Sequence, residues 1–240
     1  MDGVNSMTGN PPDLRAFATV ARDHDALLYV DDAHGFGVIG ERDAHELSPY
    51  GSRGNSIVRY AGESYDNIVL VGGFSKAYSS LTAFIACPTA LKERLKTAAP
   101  PYLYSGPSPV ASLATTLLGF EVNAKRGDEL RRALWEKTCQ VLACLDRHGI
   151  HTPNRSDLPI IEVALANHED LACLGRFLFR RGIYVTLAAY PLVPRDEVGF
   201  RIQVTAANSQ AEIEQLTDVL GAAAERFRLR TAATEERGAA

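Results

Sequence analysis

Lys76 is the residue of this 240-residue sequence whose setting most directly predicts chemistry. It follows an apolar run at 68–71 that ends at Gly72 and Gly73. The run suits a strand buried on both faces, so we expect Lys76 at the carboxyl end of a parallel strand. Ligands bind at that edge of open α/β sheets, and a desolvated lysine there can form a Schiff base with an aldehyde. A solvated lysine in a turn is the alternative for this segment alone.

A second apolar run, at 26–30, ends in Asp31, Asp32 and His34 before a glycine-rich turn. Charged residues directly after a buried strand are costly unless they are paired or used. We expect Asp31 and His34 at the same sheet edge as Lys76. A carboxylate, an imidazole and an amine in one crevice suit pyridoxal phosphate. Its aldehyde needs the lysine, and its pyridine nitrogen needs a carboxylate to stay protonated.

Two motifs carry a resemblance to a known family. The segments Val-Asp-Asp-Ala-His-Gly-Phe-Gly-Val-Ile-Gly-Glu and Gly-Phe-Ser-Lys-Ala resemble the α-oxoamine synthases, among them 8-amino-7-oxononanoate synthase and glycine C-acetyltransferase. These are fold-type I pyridoxal phosphate enzymes that join an amino acid to an acyl-CoA. Residues 1–9 look like the family's Ser-Met turn and residues 199–205 like its late arginine strand. Four motifs in the family's order make the likeness specific.

The resemblance implies a role for each matched residue. Lys76 would be the Schiff-base lysine and would take the substrate's α-proton. Asp31 would face the pyridine nitrogen of the cofactor, and His34 would face its phenolic oxygen. Arg201 would bind the substrate carboxylate, since its planar fork can hold a carboxylate in a bidentate pair. The alternative for Arg201 is a surface arginine on an edge strand. Ser6 would lie near the ring.

The phosphate site departs from the family pattern. A threonine three residues before the lysine is common in the family, and Gly73 stands there in this chain. A second family threonine is missing from the loop Tyr-Ser-Gly-Pro at 104–107. We therefore expect Ser75, Ser105 and backbone amides to hold the phosphate.

The implied function is condensation of an amino acid with an acyl-CoA or another acyl-thioester, with loss of carbon dioxide in most members. One alternative is an aminotransferase of class I/II, which shares the lysine, aspartate and arginine. Another is a non-catalytic truncated paralogue that serves as a partner subunit. Family members carry further strands and a phosphate-binding helix end before the Ser-Met turn. We therefore expect these residues alone to bind the cofactor weakly and to associate, as a homodimer or with a separate N-terminal half.

Composition limits the function classes. The formal net charge of −4 and the hydrophobic fraction of 46% are typical of a soluble globular protein, without the basic bias of a nucleic-acid binder. Four scattered cysteines predict reduced thiols and no metal site. No apolar run has membrane-spanning length, and no signal-peptide pattern occurs at the N-terminus. We therefore expect a cytoplasmic protein that binds no membrane.

The elements that must position these residues indicate an α/β fold. We expect an N-terminally incomplete large domain at 1–150, with a mostly parallel sheet between helices, a small α+β domain at 151–230 and a disordered tail at 231–240. Glu162, inside an apolar strand, predicts a buried ion pair. The remaining elements are expected as helices from Pro11 and Pro88, a long helical region at 109–148 interrupted at Gly127 and Asp128, helices at 170–181 and 210–227, and strands at 83–86, 160–165, 184–187 and 200–205.

Overall fold

The computed structural model of the chain describes residues 1–43 and 48–231. Its contacts divide the chain into two compact units. The first contains residues 1–5 and 11–131, and the second contains residues 6–10 and those from 132 onward. The tail predicted at 231–240 lies outside the described residues from position 232. No helix in the described ranges is long and apolar enough to cross a membrane.

A three-stranded sheet organises the first unit, in the order β1-β2-β3. Strand β1 (Leu28–Asp31) runs parallel to β2 (Ile68–Gly73), so that Asp31 lies opposite Val71. Strand β2 is buried along nearly its whole length, which explains its continuous apolar sequence. The predicted parallel pair is confirmed. Strand β3 (Ala83–Ala86) was expected and found, but it runs antiparallel to β2, so the sheet is mixed.

In the described part of the first unit, four short helices lie before, between or after the strands in sequence. Helix α1 (Leu14–Asp23) begins where the Asp13 carboxylate accepts a hydrogen bond from the Ala16 amide at 3.1 Å. It buries Leu14, Ala18 and Ala21 as the spacing predicts, whereas Phe17 remains half exposed. The other three are α2 (Ile57–Tyr60), α3 (Thr89–Ala98) and α4 (Pro100–Leu103).

Helix α5 (Val110–Arg147) is continuous over 38 residues. The predicted interruption at Gly127 and Asp128 is therefore wrong. Glycine weakens a helix by about 1 kcal/mol relative to alanine, which made a break there a reasonable expectation. A Cβ on Gly127 would lie 2.8 Å from Nη2 of Arg131. The glycine is thus needed for close packing of a buried arginine and does not mark a helix end.

The second unit contains an antiparallel sheet in the order β4-β6-β5. Its strands are β4 (Ile160–Ala164), β5 (Thr186–Ala188) and β6 (Gly199–Gln203). Helix α6 (Leu171–Arg180) buries Leu174, Phe177 and Leu178, and α7 (Gln210–Arg226) begins with a capping box. Strand β5 starts at Thr186, two residues later than predicted, and Tyr184 is solvent-exposed. The other predicted elements of this unit are confirmed within a few residues.

Glu162 is buried in β4, but the predicted ion pair is not found among the described residues. Burial raises the pKa of Glu162, the nearby Glu197 carboxylate raises it further, and Arg230 lowers it. Arg230 instead lies 3.9 Å from Asp196. Glu162 therefore has weak compensation for its burial and favours the protonated form more than an exposed glutamate does.

Candidate functional site

The loops that follow β1 and β2 start at the same edge of the first unit's sheet, because the two strands are parallel. Asp31 is the last residue of β1, and His34 follows in its loop. Lys76 lies three residues beyond the end of β2. The structure thus brings an amine, a carboxylate and an imidazole to one sheet edge, where ligands bind in open α/β sheets.

Lys76 and the adjacent Ser75 are solvent-exposed in this chain. The expectation that Lys76 is desolvated is therefore wrong for the chain by itself. His34 is half-buried. Ser105 is exposed, in a segment at 100–111 that contains no buried residue. The predicted phosphate contacts are thus accessible hydroxyls.

A cluster of aromatic side chains joins the two loops. Phe36, two residues after His34, stacks on Tyr78 with ring centroids 5.7 Å apart. Phe74 meets Tyr78 edge-on at 5.2 Å, and Phe84 completes the cluster. Such pairs contribute about 0.5–1.5 kcal/mol each beyond burial. Because Phe74 and Tyr78 flank Lys76 in sequence, the cluster anchors both sides of the lysine's loop.

Hydrogen bonds from backbone amides and from hydroxyl groups also close the loop that carries Lys76. The Ser80 amide donates to the carbonyl of Phe74 at 2.8 Å, and the Phe74 amide donates to the carbonyl of Thr82 at 3.0 Å. The Thr82 hydroxyl lies 2.6 Å from that of Thr116 in α5, and the Ser80 hydroxyl donates to the Ser112 carbonyl at 2.7 Å. The loop is therefore held at its base, while Lys76 remains accessible.

The two consecutive aspartates have different environments. Asp31 is exposed, and its carboxylate accepts the Ala33 amide at 3.0 Å. Asp32 is fully buried and accepts the Ile57 amide at 2.9 Å. The pKa of Asp32 is raised to about 7, mainly because the carboxyl is buried. The Ile57 hydrogen bond opposes this rise, and the neighbouring Asp31 charge adds to it. Asp31 is thus the carboxylate available to a ligand.

A buried arginine that was not among the predicted site residues also supports this edge. Arg131 of α5 donates to the carbonyl of Gly37 at 3.1 Å and to the Asn123 side chain at 2.7 Å. It also forms an ion pair with Asp128 at 2.5 Å. Although burial alone would raise the pKa of Asp128, hydrogen bonds from Arg131 and from the Arg53 amide lower it overall. The three-residue spacing of Asp128 and Arg131 was the local signal for the pair.

The remaining predicted residues, Arg201 and Ser6, meet in the second unit. Arg201 Nη1 donates to the Ser6 carbonyl at 2.6 Å across 195 residues of sequence. The Gln203 amide oxygen, in the orientation that satisfies its neighbours, accepts from Nη2 at 2.6 Å and from Nε at 3.3 Å. Arg201 is half-buried in the sheet and is not the surface arginine that the alternative interpretation expected. Three of its five N–H groups are already engaged.

The residues present could hold the ring of pyridoxal phosphate. They lack side-chain contacts that family members make to its phosphate. Lys76 and Asp31 supply an amine and a carboxylate at one edge. Gly73 supplies no hydroxyl, and a Cβ there would lie 3.0 Å from the Cβ of Ala33. Among residues 1–43 and 48–231, no group of three or more His, Cys, Asp or Glu side chains could hold a metal ion.

Known proteins are similar to this chain in sequence and in fold. The 8-amino-7-oxononanoate synthase of Pseudomonas aeruginosa is 35% identical over 228 residues, which cover 92% of this chain and 52% of that protein. The serine palmitoyltransferase of Sphingomonas wittichii superposes with a TM-score of 0.83 at 26% identity, over 94% of this chain and 54% of that one. The serine palmitoyltransferase of S. paucimobilis, solved with bound PLP and myriocin, has a TM-score of 0.82 at 24% identity over the same shares.

The chain spans about half the length of these relatives. Its residues 1–220 match the family described as aminotransferase class I and II. That match includes both loops of the sheet edge and the strand that bears Arg201. The chain therefore belongs to the aminotransferase class I and II family.

Proposed function

We propose that this chain carries the lysine-bearing part of a pyridoxal phosphate-dependent acyltransferase of the α-oxoamine synthase type. Its substrates would be an amino acid and an acyl-CoA or other acyl-thioester. The observation that carries the proposal is the placement of Asp31 and Lys76 at the carboxyl ends of two directly paired parallel strands. The similarity to 8-amino-7-oxononanoate synthase and serine palmitoyltransferase supports this substrate class.

When bound, pyridoxal phosphate supplies an aldehyde that reacts with amines and a ring that withdraws electrons. The accessible Lys76 amine would hold the group and would take the α-proton of the bound amino acid. Asp31 would hold a proton on the ring nitrogen through its carboxylate. His34 would hydrogen-bond the phenolic oxygen. Ser75 and Ser105 would donate hydroxyl groups to the phosphate.

Two further residues of the proposal, Arg201 and Ser6, lie in the second unit. After the contacts with Ser6 and Gln203, Arg201 has one N–H group left on each terminal nitrogen. These two groups would bind the substrate carboxylate, since a guanidinium can hold it at both oxygens. Ser6, whose carbonyl is engaged by Arg201, would lie near the ring.

Association of this chain with a second copy of itself is part of the proposal. Several large apolar side chains on or beside α5 are exposed, among them Tyr104 at 85%, Val110 at 81% and Leu117 at 67%. Contiguous exposed apolar surface is typical of protein interfaces. Ser105 lies within the same exposed segment, so the association would also bear on phosphate binding.

An aminotransferase is the second candidate, because the matched family carries that name. It would use Lys76, Asp31 and Arg201 in the same way but would release a keto acid. Release of free CoA from an acyl-CoA, compared with formation of a keto acid from an amino acid, separates the two.

Borohydride trapping tests the role of Lys76. The purified chain is mixed with pyridoxal phosphate and reduced, and its peptides are mapped by mass spectrometry. We expect the cofactor mass on the Lys76 peptide and its loss in Lys76→Arg, which keeps the charge but cannot form the bond. Lys92→Arg is the matched control, since Lys92 is an exposed lysine of α3. Label that persists in Lys76→Arg at the level of the control would refute the assignment.

A further inference from the structure

Asp32, next to Asp31, is a buried carboxyl that the proposed function does not use. Its side chain has no exposed surface. One oxygen, Oδ2, accepts the Ile57 amide at 2.9 Å. The other, Oδ1, has no hydrogen-bond partner among the described residues. A buried carboxyl with an unpartnered oxygen is costly, so its presence calls for a physical reason.

The Asp32 side chain joins three segments of the first unit. Oδ2 holds the first amide of α2, at Ile57. Oδ1 lies directly against the α-carbons of Gly3 and Gly35, because a Cβ on either glycine would overlap it. Gly3 belongs to the first turn of the chain and Gly35 to the loop after β1. The carboxyl therefore fills the space between that turn, that loop and the start of α2.

The backbone of Asp32 is fixed at the same point. Its amide donates to the carbonyl of Val71 in β2 at 2.8 Å, and its carbonyl accepts the Phe36 amide at 2.8 Å. The preceding residue is fastened too, since the Gly3 amide donates to the Asp31 carbonyl at 2.6 Å. The Asp32 side chain is therefore attached to a backbone that is hydrogen-bonded both to β2 and to the loop that carries His34.

We propose that Asp32 is a positioning residue, whose buried side chain sets the orientation of Asp31 and His34 toward the ring of the bound cofactor. This inference rests on the proposed function of Asp31. The role requires a side chain of this shape that accepts the Ile57 amide, and it does not require a negative charge. An asparagine meets both requirements, and an alanine meets neither.

The test compares Asp32→Asn and Asp32→Ala with the unmodified chain. The first readout is hydrogen exchange of peptides covering residues 1–5, 32–39 and 56–60. We expect Asp32→Ala to lose protection in all three, and Asp32→Asn to keep it. The second readout is the pH midpoint of the absorption of the lysine-bound cofactor, which depends on the carboxylate beside the ring nitrogen. Asp32→Ala should shift it by about one pH unit or more, and Asp32→Asn should leave it unchanged.

Two further variants keep the test decisive. Gly35→Ala places a methyl group against Asp32 Oδ1 without removing it, so it should reproduce the midpoint shift even if Asp32→Ala fails to fold. Asp23→Ala, at an exposed position of α1, is the matched control. The proposal is overturned if Asp32→Ala and Gly35→Ala fold and keep both readouts, or if Asp32→Asn is as impaired as Asp32→Ala. If no variant binds cofactor at Lys76, the proposed function fails, and hydrogen exchange alone decides whether Asp32 holds these segments.

Discussion

Replacing Asp32 by asparagine should change how the stability of the first unit depends on pH. The substitution keeps the size of the side chain and the acceptor for the Ile57 amide, but it removes the titrating group. In the folded chain, burial raises the pKa of Asp32 from 3.8 to about 7. In the unfolded chain the carboxyl is solvated and ionises near its ordinary value.

The magnitude follows from the two pKa values. Between pH 4 and pH 7 the folded chain retains a proton that the unfolded chain has released, so the free energy of unfolding decreases as the pH rises. The interval is about 3 pH units, and each unit corresponds to about 1.4 kcal/mol, which gives a total loss of about 4 kcal/mol. Above pH 7 both states are ionised, and this contribution no longer changes.

Urea denaturation followed by circular dichroism measures the effect. The difference in unfolding free energy between Asp32→Asn and the unmodified chain should shift in favour of the variant by about 4 kcal/mol from pH 4 to pH 7, and then level off. Asp23→Asn should show no such trend, since Asp23 is exposed. A difference that stays constant over this range would show that Asp32 is already ionised in the fold, and the reasoning from its burial would be refuted.

Two other substitutions test the support of the fold. Arg131→Met should destabilise the first unit by about 2–4 kcal/mol, because the Gly37 carbonyl and the Asn123 side chain lose a buried charged donor. Urea denaturation measures the loss. The control Arg126→Met, at an exposed position of the same helix, should change the stability little. Glu162→Gln should become more stabilising relative to the unmodified chain as the pH rises, because burial raises the pKa of Glu162 and its ionised form is the costly one. Thermal melts of both proteins at several pH values measure this difference, and a gain that is largest at low pH would contradict it.

The sheet edge was predictable because its signals are local. A continuous apolar run, two glycines and a lysine occur within ten residues, and the second strand ends in polar residues in the same way. Burial on both faces of β2 requires such a sequence, and the parallel pairing then places both strand ends together. The antiparallel direction of β3 left no comparable local signal, since a short apolar strand can pair in either direction.

The contacts that hold the edge could not be predicted in the same way. Arg131 reaches Gly37 across 94 residues, and Arg201 reaches Ser6 across 195. Contacts between residues so far apart in sequence leave no periodic pattern from which they could be predicted. The glycine that suggested a helix break, Gly127, in fact makes room for the Arg131 side chain. Local propensity therefore led to the wrong conclusion where tertiary packing set the residue type.

Gly73 shows how a departure from the family pattern can have a structural reason. In the sequence, this position lacks the threonine with which many family members contact the phosphate. In the structure its α-carbon faces Ala33 of the loop after β1, and a Cβ would come within 3.0 Å of the alanine's own Cβ. The glycine therefore lets the loop of Asp31 and His34 approach the strand that leads to Lys76. A threonine here would require Ala33 to move by a few tenths of an ångström, and with it the loop of Asp31 and His34. Because Gly73 supplies no hydroxyl, the proposal assigns phosphate binding to Ser75, Ser105 and backbone amides.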